Sequence, residues 1–329
     1  MQLFDCYTET NDSCIQIEMM KRVTILEVGP RDGLQNEAGI VSTADKIALI
    51  ERAIAYGARR IEVASFANPK RVPQMADAEG VIAGLPDDPR VRYTALAMNV
   101  RGVERAIATR TGARGVDEVG CVIVATDSFG IANQGQTVAE GIVANREMIA
   151  LAQSAGLKAQ VTISASFGCP FEGEVPQARV LDIAAAMQDA GAEEIAFADT
   201  IGVAVPEQVS DMITAARDRL GTEIPIRVHF HDTRGLAPAN VWAAYQAGCR
   251  IFDSALGGLG GCPFAPGAKG NVATEELAYL FARSGIDCGI DLDAAVSANH
   301  WFAGIMGRTL PSRVGQAGDF KVTEKRASA

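Results

Sequence analysis

Two histidines, His229 and His231, stand one residue apart in the apolar run IRVHFH (226–231). On a β-strand alternate side chains share a face, so both imidazoles project to the same side, a spacing that suits two neighbouring ligands on one metal ion. Only three histidines exist in the chain, and by itself the pair is equally open to a structural role. Asp32, after the first apolar run, and Asn271, in the loop after the last, extend the set to two nitrogens and two oxygens. A mixed shell with positions left for substrate and water favours octahedral Mg2+ or Mn2+ over structural zinc, which prefers a closed tetrahedral set.

Other titratable residues gather near the same candidate strand ends: Arg31 beside Asp32, Glu62 in the second run, and Asp199-Thr200 after the sixth. A guanidinium at position 31 suits stabilisation of a developing oxyanion by forked hydrogen bonds; the alternative is a surface ion pair. Cys262 follows the segment GGLGG (257–261), whose glycines would let a loop close over a ligand and carry a thiol with it; a small buried hydrophobe is the competing reading. Cys169, in GCPFEG (168–173), is expected to be structural. No GKS or GKT follows the glycines, which excludes a P-loop.

Positioning these groups requires a repeated strand-and-helix unit. Eight short runs read as strands: 23–28, 60–65, 91–96, 118–125, 159–164, 194–198, 226–231 and 251–256. Helical patterns lie between them at 43–57, 101–112, 137–155, 176–191, 206–220 and 236–248, several ending in a pair such as Ala155-Gly156 or Ala190-Gly191 that suits a helix C-terminus. Eight such units over some 250 residues predict a (β/α)8 TIM barrel of the α/β class, with the active site at the carboxyl ends of the strands. A Rossmann fold is the weaker alternative, because no GxGxxG follows the first strand. Residues beyond about 273 are expected to add helices that close or cap the barrel. With no Pro/Ser-rich linker in sight, 23–320 reads as a single catalytic domain and 1–22 as a poorly ordered extension.

The 329 residues are 48% apolar and 21% charged, with a formal net charge of −10. That balance argues against disorder and against a nucleic-acid partner, and it requires any anionic ligand to be met by local basic groups. No apolar run is long enough for a membrane helix, and no signal or transit peptide is visible, so a cytoplasmic protein without a membrane partner is expected. Seven scattered cysteines without a CxxC pair are expected to be free thiols.

The segments EVGPRDGLQNE (27–37), SFANPKRVPQMAD (65–77), GCPFEG, DTIGV (199–203), VHFHD (228–232) and GGLGGCPFAPGAKGNVATE (257–275) together resemble the hydroxymethylglutaryl-CoA lyase family, over about residues 22 to 310. The wider group of metal-dependent barrel lyases and synthases also holds isopropylmalate synthase. The resemblance implies a divalent cation on Asp32, His229, His231 and Asn271, with Arg31, Cys262, Asp32, His229 and Glu62 taking part in catalysis. It further implies an acyl-CoA substrate contacted by Arg31, Gln35, Asp199 and Thr200, retro-aldol release of acetyl-CoA and a keto acid, and a homodimer. Asp32, or a water on the metal steered by His229, would be the base. The chain departs from the family at Arg234, where a Tyr is usual, at Thr126-Asp127 in place of Ser-Glu, and at Ala38 in place of Lys. A guanidinium at 234 would pair with a substrate carboxylate or a CoA phosphate, or else face outward. Citramalyl-CoA is therefore kept as an alternative substrate, and a non-catalytic barrel scaffold as an alternative class.

Overall fold

A computed structural model describes residues 22–111, 114–261 and 270–320. Eight strands, β1 (Thr24–Glu27), β2 (Arg60–Ser65), β3 (Arg92–Ala97), β4 (Glu118–Val124), β5 (Lys158–Ser164), β6 (Glu194–Asp199), β7 (Ile226–Phe230) and β8 (Ile251–Ser254), pair in parallel and in sequence order. Pairing of β1 with β8 closes the barrel, with Thr24 opposite Ile251, which excludes the open sheet of a Rossmann fold. The strands lie where the sequence periodicity put them. β1 and β8 are each two residues shorter than expected; at β8 the Leu256 amide leaves the sheet to donate to Glu27 Oε1 at 2.9 Å.

The helices are α1 (Thr43–Ala55), α2 (Ala78–Ala83), α3 (Val100–Ala108), α4 (Asp127–Gln134), α5 (Val138–Ser154), α6 (Gln177–Asp189), α7 (Pro206–Leu220), α8 (Ala237–Gln246), α9 (Thr274–Arg283), α10 (Leu292–Met306) and α11 (Arg313–Ala317). None of the described helices is long and apolar enough to cross a membrane. The last three complete the outer ring, as the C-terminal residues were expected to do. α10 packs on α1, where the Arg52 guanidinium sits 3.7 Å above the Trp301 ring. α4 was not foreseen; it occupies the segment after β4, beside the strand ends that carry the site.

Branched apolar side chains fill the space between strands and helices, but the barrel interior holds an unexpected ionic layer. Arg60 donates to Glu118 at 2.8 Å and to Glu194 at 2.6 Å, and Arg227 donates to Glu194 at 2.7 Å and to Gln160 at 2.7 Å. Arg227 also bonds Asp253. Buried charges persist only when paired in this way, and removing one partner strands the others.

Candidate active site

The β1 strand runs into a tight turn in which the Gly33 amide donates to Val28 O, five residues back. This turn presents Arg31 and Asp32 at the carboxyl end of the barrel. Arg31 is clamped: Nε donates to Glu62 Oε2 at 2.7 Å, and Nη1 donates to Asp32 Oδ1 at 2.6 Å. Its side chain is only 12% exposed, so the surface ion pair weighed from sequence is not what forms.

On β7, alternation brings His229 and His231 to the same face with their Nε2 atoms 3.1 Å apart, and each Nε2 lies 4.0 Å from Asp32 Oδ2. Adjacent ligands at about 2.1 Å on an octahedral ion stand about 3 Å apart, which matches the imidazole pair. His229 Nδ1 meets Asp253 Oδ2 at 3.0 Å, so Nδ1 carries a proton, and in the neutral ring that a metal requires Nε2 is left with a lone pair. Two nitrogens this close cannot both be protonated. Burial, then the neighbouring His229, push His231 down to about 4, which keeps it neutral. Burial by itself would lower His229 too, but the Asp253 hydrogen bond and charge outweigh it and raise it.

Asn271 arrives from 239 residues beyond Asp32. An antiparallel bridge joins its backbone to His231, and its Nδ2 donates to Asp32 Oδ2 at 2.8 Å. The approach needs a residue without a side chain at 260, where φ is +110° and a Cβ would fall 2.7 Å from Asn271 Nδ2. Among the described residues Asn271 Oδ1 is buried with no hydrogen-bond partner, as is His231 Nδ1. Burial pushes the Asp32 carboxyl up, but Arg31, then the two imidazoles and the Asn271 amide, outweigh it and hold it well below the usual carboxylate range. An ionised carboxylate, facing imidazole lone pairs and an unpaired amide oxygen fit a divalent cation: Asp32, His229 and His231 can hold one, and Asn271 adds a neutral oxygen.

Above these groups opens a cavity of about 530 Å³, within the range of small-molecule sites. The sequence model of the HMGL-like family matches residues 22–301, 280 of the 329.

This chain belongs to the HMGL-like family. With the lyases among its relatives, it is a carbon–carbon lyase. It is 43% identical to an (R)-citramalyl-CoA lyase of Chloroflexus aurantiacus over 91% of this chain and 96% of the relative. It is 39% identical to hydroxymethylglutaryl-CoA lyase YngG of Bacillus subtilis, over 89% of this chain and 96% of that one. Among solved structures, an HMG-CoA lyase from Acinetobacter baumannii in complex with coenzyme A and 3-methylmalate superposes with a TM-score of 0.87 at 36% identity, covering 93% of this chain and 98% of that chain.

For this HMGL-like chain, the structure brings Arg31, Asp32, Glu62, His229, His231 and Asn271 together. Gln35 and Thr200 also line the cavity. The Thr200 hydroxyl accepts from the Ala165 amide at 2.9 Å and holds that residue at a positive φ of 58°, a strained backbone at the end of β5.

Two expected substrate contacts are not delivered. Both Asp199 carboxylate oxygens accept backbone amides, Val203 N and Ala204 N at 2.9 Å each, so the side chain builds its own turn instead of facing the cavity. Arg234 is exposed and donates to the carbonyls of Ile201 and Gly202 at 3.1 and 2.8 Å, which latches the loop after β6 and turns the guanidinium away. The Thr126-Asp127 departure is likewise structural: the Thr126 hydroxyl donates to Cys169 Sγ at 3.1 Å and Asp127 accepts from Val138 N at 2.8 Å. Cys121, Cys169, Cys249 and Cys288 are free thiols.

Cys262 lies outside the described residues, as do residues 1–21. The chain enters its segment at the cavity wall, where Asn36 Nδ2 donates to Gly261 O at 2.7 Å.

Asp253 was missed, although IFDSAL shows an acid inside an apolar strand. Glu27 was missed too: fully buried, it accepts from Gly29 N, Leu256 N, Tyr56 OH and Thr274 Oγ1, and so ties the Arg31 turn to the root of the glycine loop.

Proposed function

We propose that this enzyme cleaves 3-hydroxy-3-methylglutaryl-CoA, or a close 3-hydroxyacyl-CoA, to acetyl-CoA and a keto acid such as acetoacetate. The observation that carries this reading is the pair of Nε2 atoms facing Asp32 at a distance suited to one cation, directly beside a guanidinium that a buried carboxylate clamps. A divalent cation, Mg2+ or Mn2+, would be held by Asp32, His229, His231 and Asn271 and would supply the charge that acidifies the substrate hydroxyl. In the reaction a base takes the C3 hydroxyl proton, the C2–C3 bond breaks as C3 becomes a carbonyl, and the bond's electrons pass into the thioester enolate. A proton delivered to C2 completes acetyl-CoA.

The residues divide this work. Arg31, fixed by Glu62 and Asp32, presents its remaining N–H groups to the enolate oxygen, where a preorganised donor is worth most. Burial keeps the Glu62 carboxyl raised against the opposing pull of Arg31, and its bonds hold the guanidinium plane in place. Asp32 is held so firmly ionised that it is a weak proton acceptor, which suits a ligand better than a base. Cys262, next to the cavity-lining Gly261, is assigned as the donor to C2. Gln35 and Thr200 offer polar contacts to the acyl group.

Citramalyl-CoA, cleaved to acetyl-CoA and pyruvate, is the second reading, favoured by the Chloroflexus relative. A coupled assay for acetyl-CoA release decides between them, run on both thioesters with Mg2+, with Mn2+ and with chelator. Release from neither thioester in the presence of metal overturns the proposal. The same reading takes the protein as a homodimer, by its family resemblance, and as cytoplasmic, from its scattered cysteines without a CxxC pair; light scattering of the purified protein reads the oligomeric state.

A further inference from the structure

Among the described residues three guanidinium groups reach the cavity, and two of them are already committed. Arg31 is held by Asp32 and Glu62. Arg227 is held by Glu194, Asp253, Gln160 and Thr162. The third, Arg71, lies in the 66–72 segment that follows β2, is exposed, and among the described residues its guanidinium makes no hydrogen bond or ion pair.

Its backbone, by contrast, is tightly built. The Ala67 amide donates to Ser65 Oγ at 3.2 Å, and Lys70 N donates to Asn68 Oδ1 at 3.0 Å. The amides of Arg71 and Val72 both donate to Asn68 O, at 2.8 and 3.0 Å. A fixed turn therefore carries an unspent cation at the mouth of a site in a protein of net charge −10. Such a protein repels a polyanionic ligand unless a local positive group offsets its field.

We propose that Arg71 binds a phosphate of coenzyme A and so selects CoA thioesters over thioesters of a bare pantetheine arm. This rests on the reading above that the substrate is an acyl-CoA. Exposure decides which anion it meets. His229, His231 and Asn271 are buried at the strand ends and Arg31 and Asp32 largely so, so the reacting acyl group must lie inside, and the phosphates at the far end of the pantetheine arm lie toward the exposed rim. A planar fork of donors also matches phosphate oxygens.

The test compares wild type, Arg71→Ala and Arg71→Lys on the CoA and pantetheine thioesters of the same acyl group. With the CoA thioester, Arg71→Ala raises KM about fivefold, as expected for one exposed charge-assisted contact, and the difference shrinks as salt is added. With the pantetheine thioester KM does not change, and Arg71→Lys recovers part of the loss. Equal KM values in all three proteins overturn the proposal. So does an equal rise on both thioesters, which would assign Arg71 to the acyl carboxylate. Calorimetric titration with free CoA separates this inference from the lyase reading. A Kd about fivefold weaker in Arg71→Ala supports the phosphate contact even if wild type cleaves no thioester, whereas an unchanged Kd overturns it.

Discussion

His229 Nδ1 lies 3.0 Å from Asp253 Oδ2, and the same carboxylate oxygen takes a hydrogen bond from Arg227. A residue on β8 thereby sets the tautomer of a candidate ligand on β7, while the ionic layer beneath keeps that residue ionised. Burial works against the Asp253 charge, but Arg227 and His229 prevail and lower its pKa.

Asp253→Asn should weaken binding of Mg2+ or Mn2+ by about 10- to 100-fold, because the amide no longer enforces a lone pair on His229 Nε2. Equilibrium dialysis measures the affinity, and circular dichroism confirms that the variant is folded. An unaltered affinity would remove Asp253 from the metal site.

Arg31→Lys keeps a positive charge but loses the fork that spans Glu62 and Asp32. Turnover of the cleaved thioester should drop by roughly 10²- to 10³-fold. Metal affinity should stay within a few-fold of wild type, because Asp32 remains ionised beside the ammonium. Comparable losses in both quantities would mean that Arg31 acts only through Asp32.

Gly260→Ala places a methyl 2.7 Å from Asn271 Nδ2 on backbone with φ of +110°. Metal affinity should fall at least about tenfold as Asn271 is displaced. Gly285→Ala is the control: its φ is +70° with nothing within 4 Å of the new Cβ, so it should cost only about 1 kcal/mol of stability and leave metal binding intact. Dialysis and thermal melts on both variants separate close approach from backbone strain.

Glu275 is fully buried, accepts from Gly257 N and Asn299 Nδ2, and burial pushes its carboxyl up to about 7. A folded-state pKa above the unfolded one means that the native protein binds the extra proton. Stability from this group is thus complete below about 4.5 and is lost as pH rises to about 7. The loss amounts to about 3 kcal/mol. Urea unfolding of wild type and Glu275→Gln from pH 4 to 8 should show the variant losing less stability across that window. Parallel curves would show that Glu275 does not titrate there.

Cys262→Ser should reduce turnover by about 10²- to 10⁴-fold with metal affinity unchanged, since a hydroxyl is a far poorer acid than a thiol. Single-turnover kinetics on the metal-loaded protein read the chemical step directly. Full activity in the variant would take the thiol out of the reaction.

The architecture was legible because its signals are local. Short continuous apolar runs alternating with amphipathic helices report a (β/α)8 chain without knowledge of any contact, and the one-residue spacing of His229 and His231 dictates a shared face on any strand. Arg31 and Asp32 were legible for the same reason, as neighbours at a strand end. What depended on distant partners was not. Arg60, Glu118, Glu194, Arg227 and Asp253 read singly as polar residues scattered over five strands, and only barrel closure brings them together as an ionic layer beneath the site. The direction of an exposed side chain was equally hidden: Arg234 and Arg71 both read as cations in loops, yet one is spent on the carbonyls of Ile201 and Gly202 while the other, at the cavity rim, makes no hydrogen bond or ion pair among the described residues. Periodicity follows from backbone geometry within a few residues, whereas a hydrogen-bond partner is chosen by whatever the closed barrel places within 3 Å.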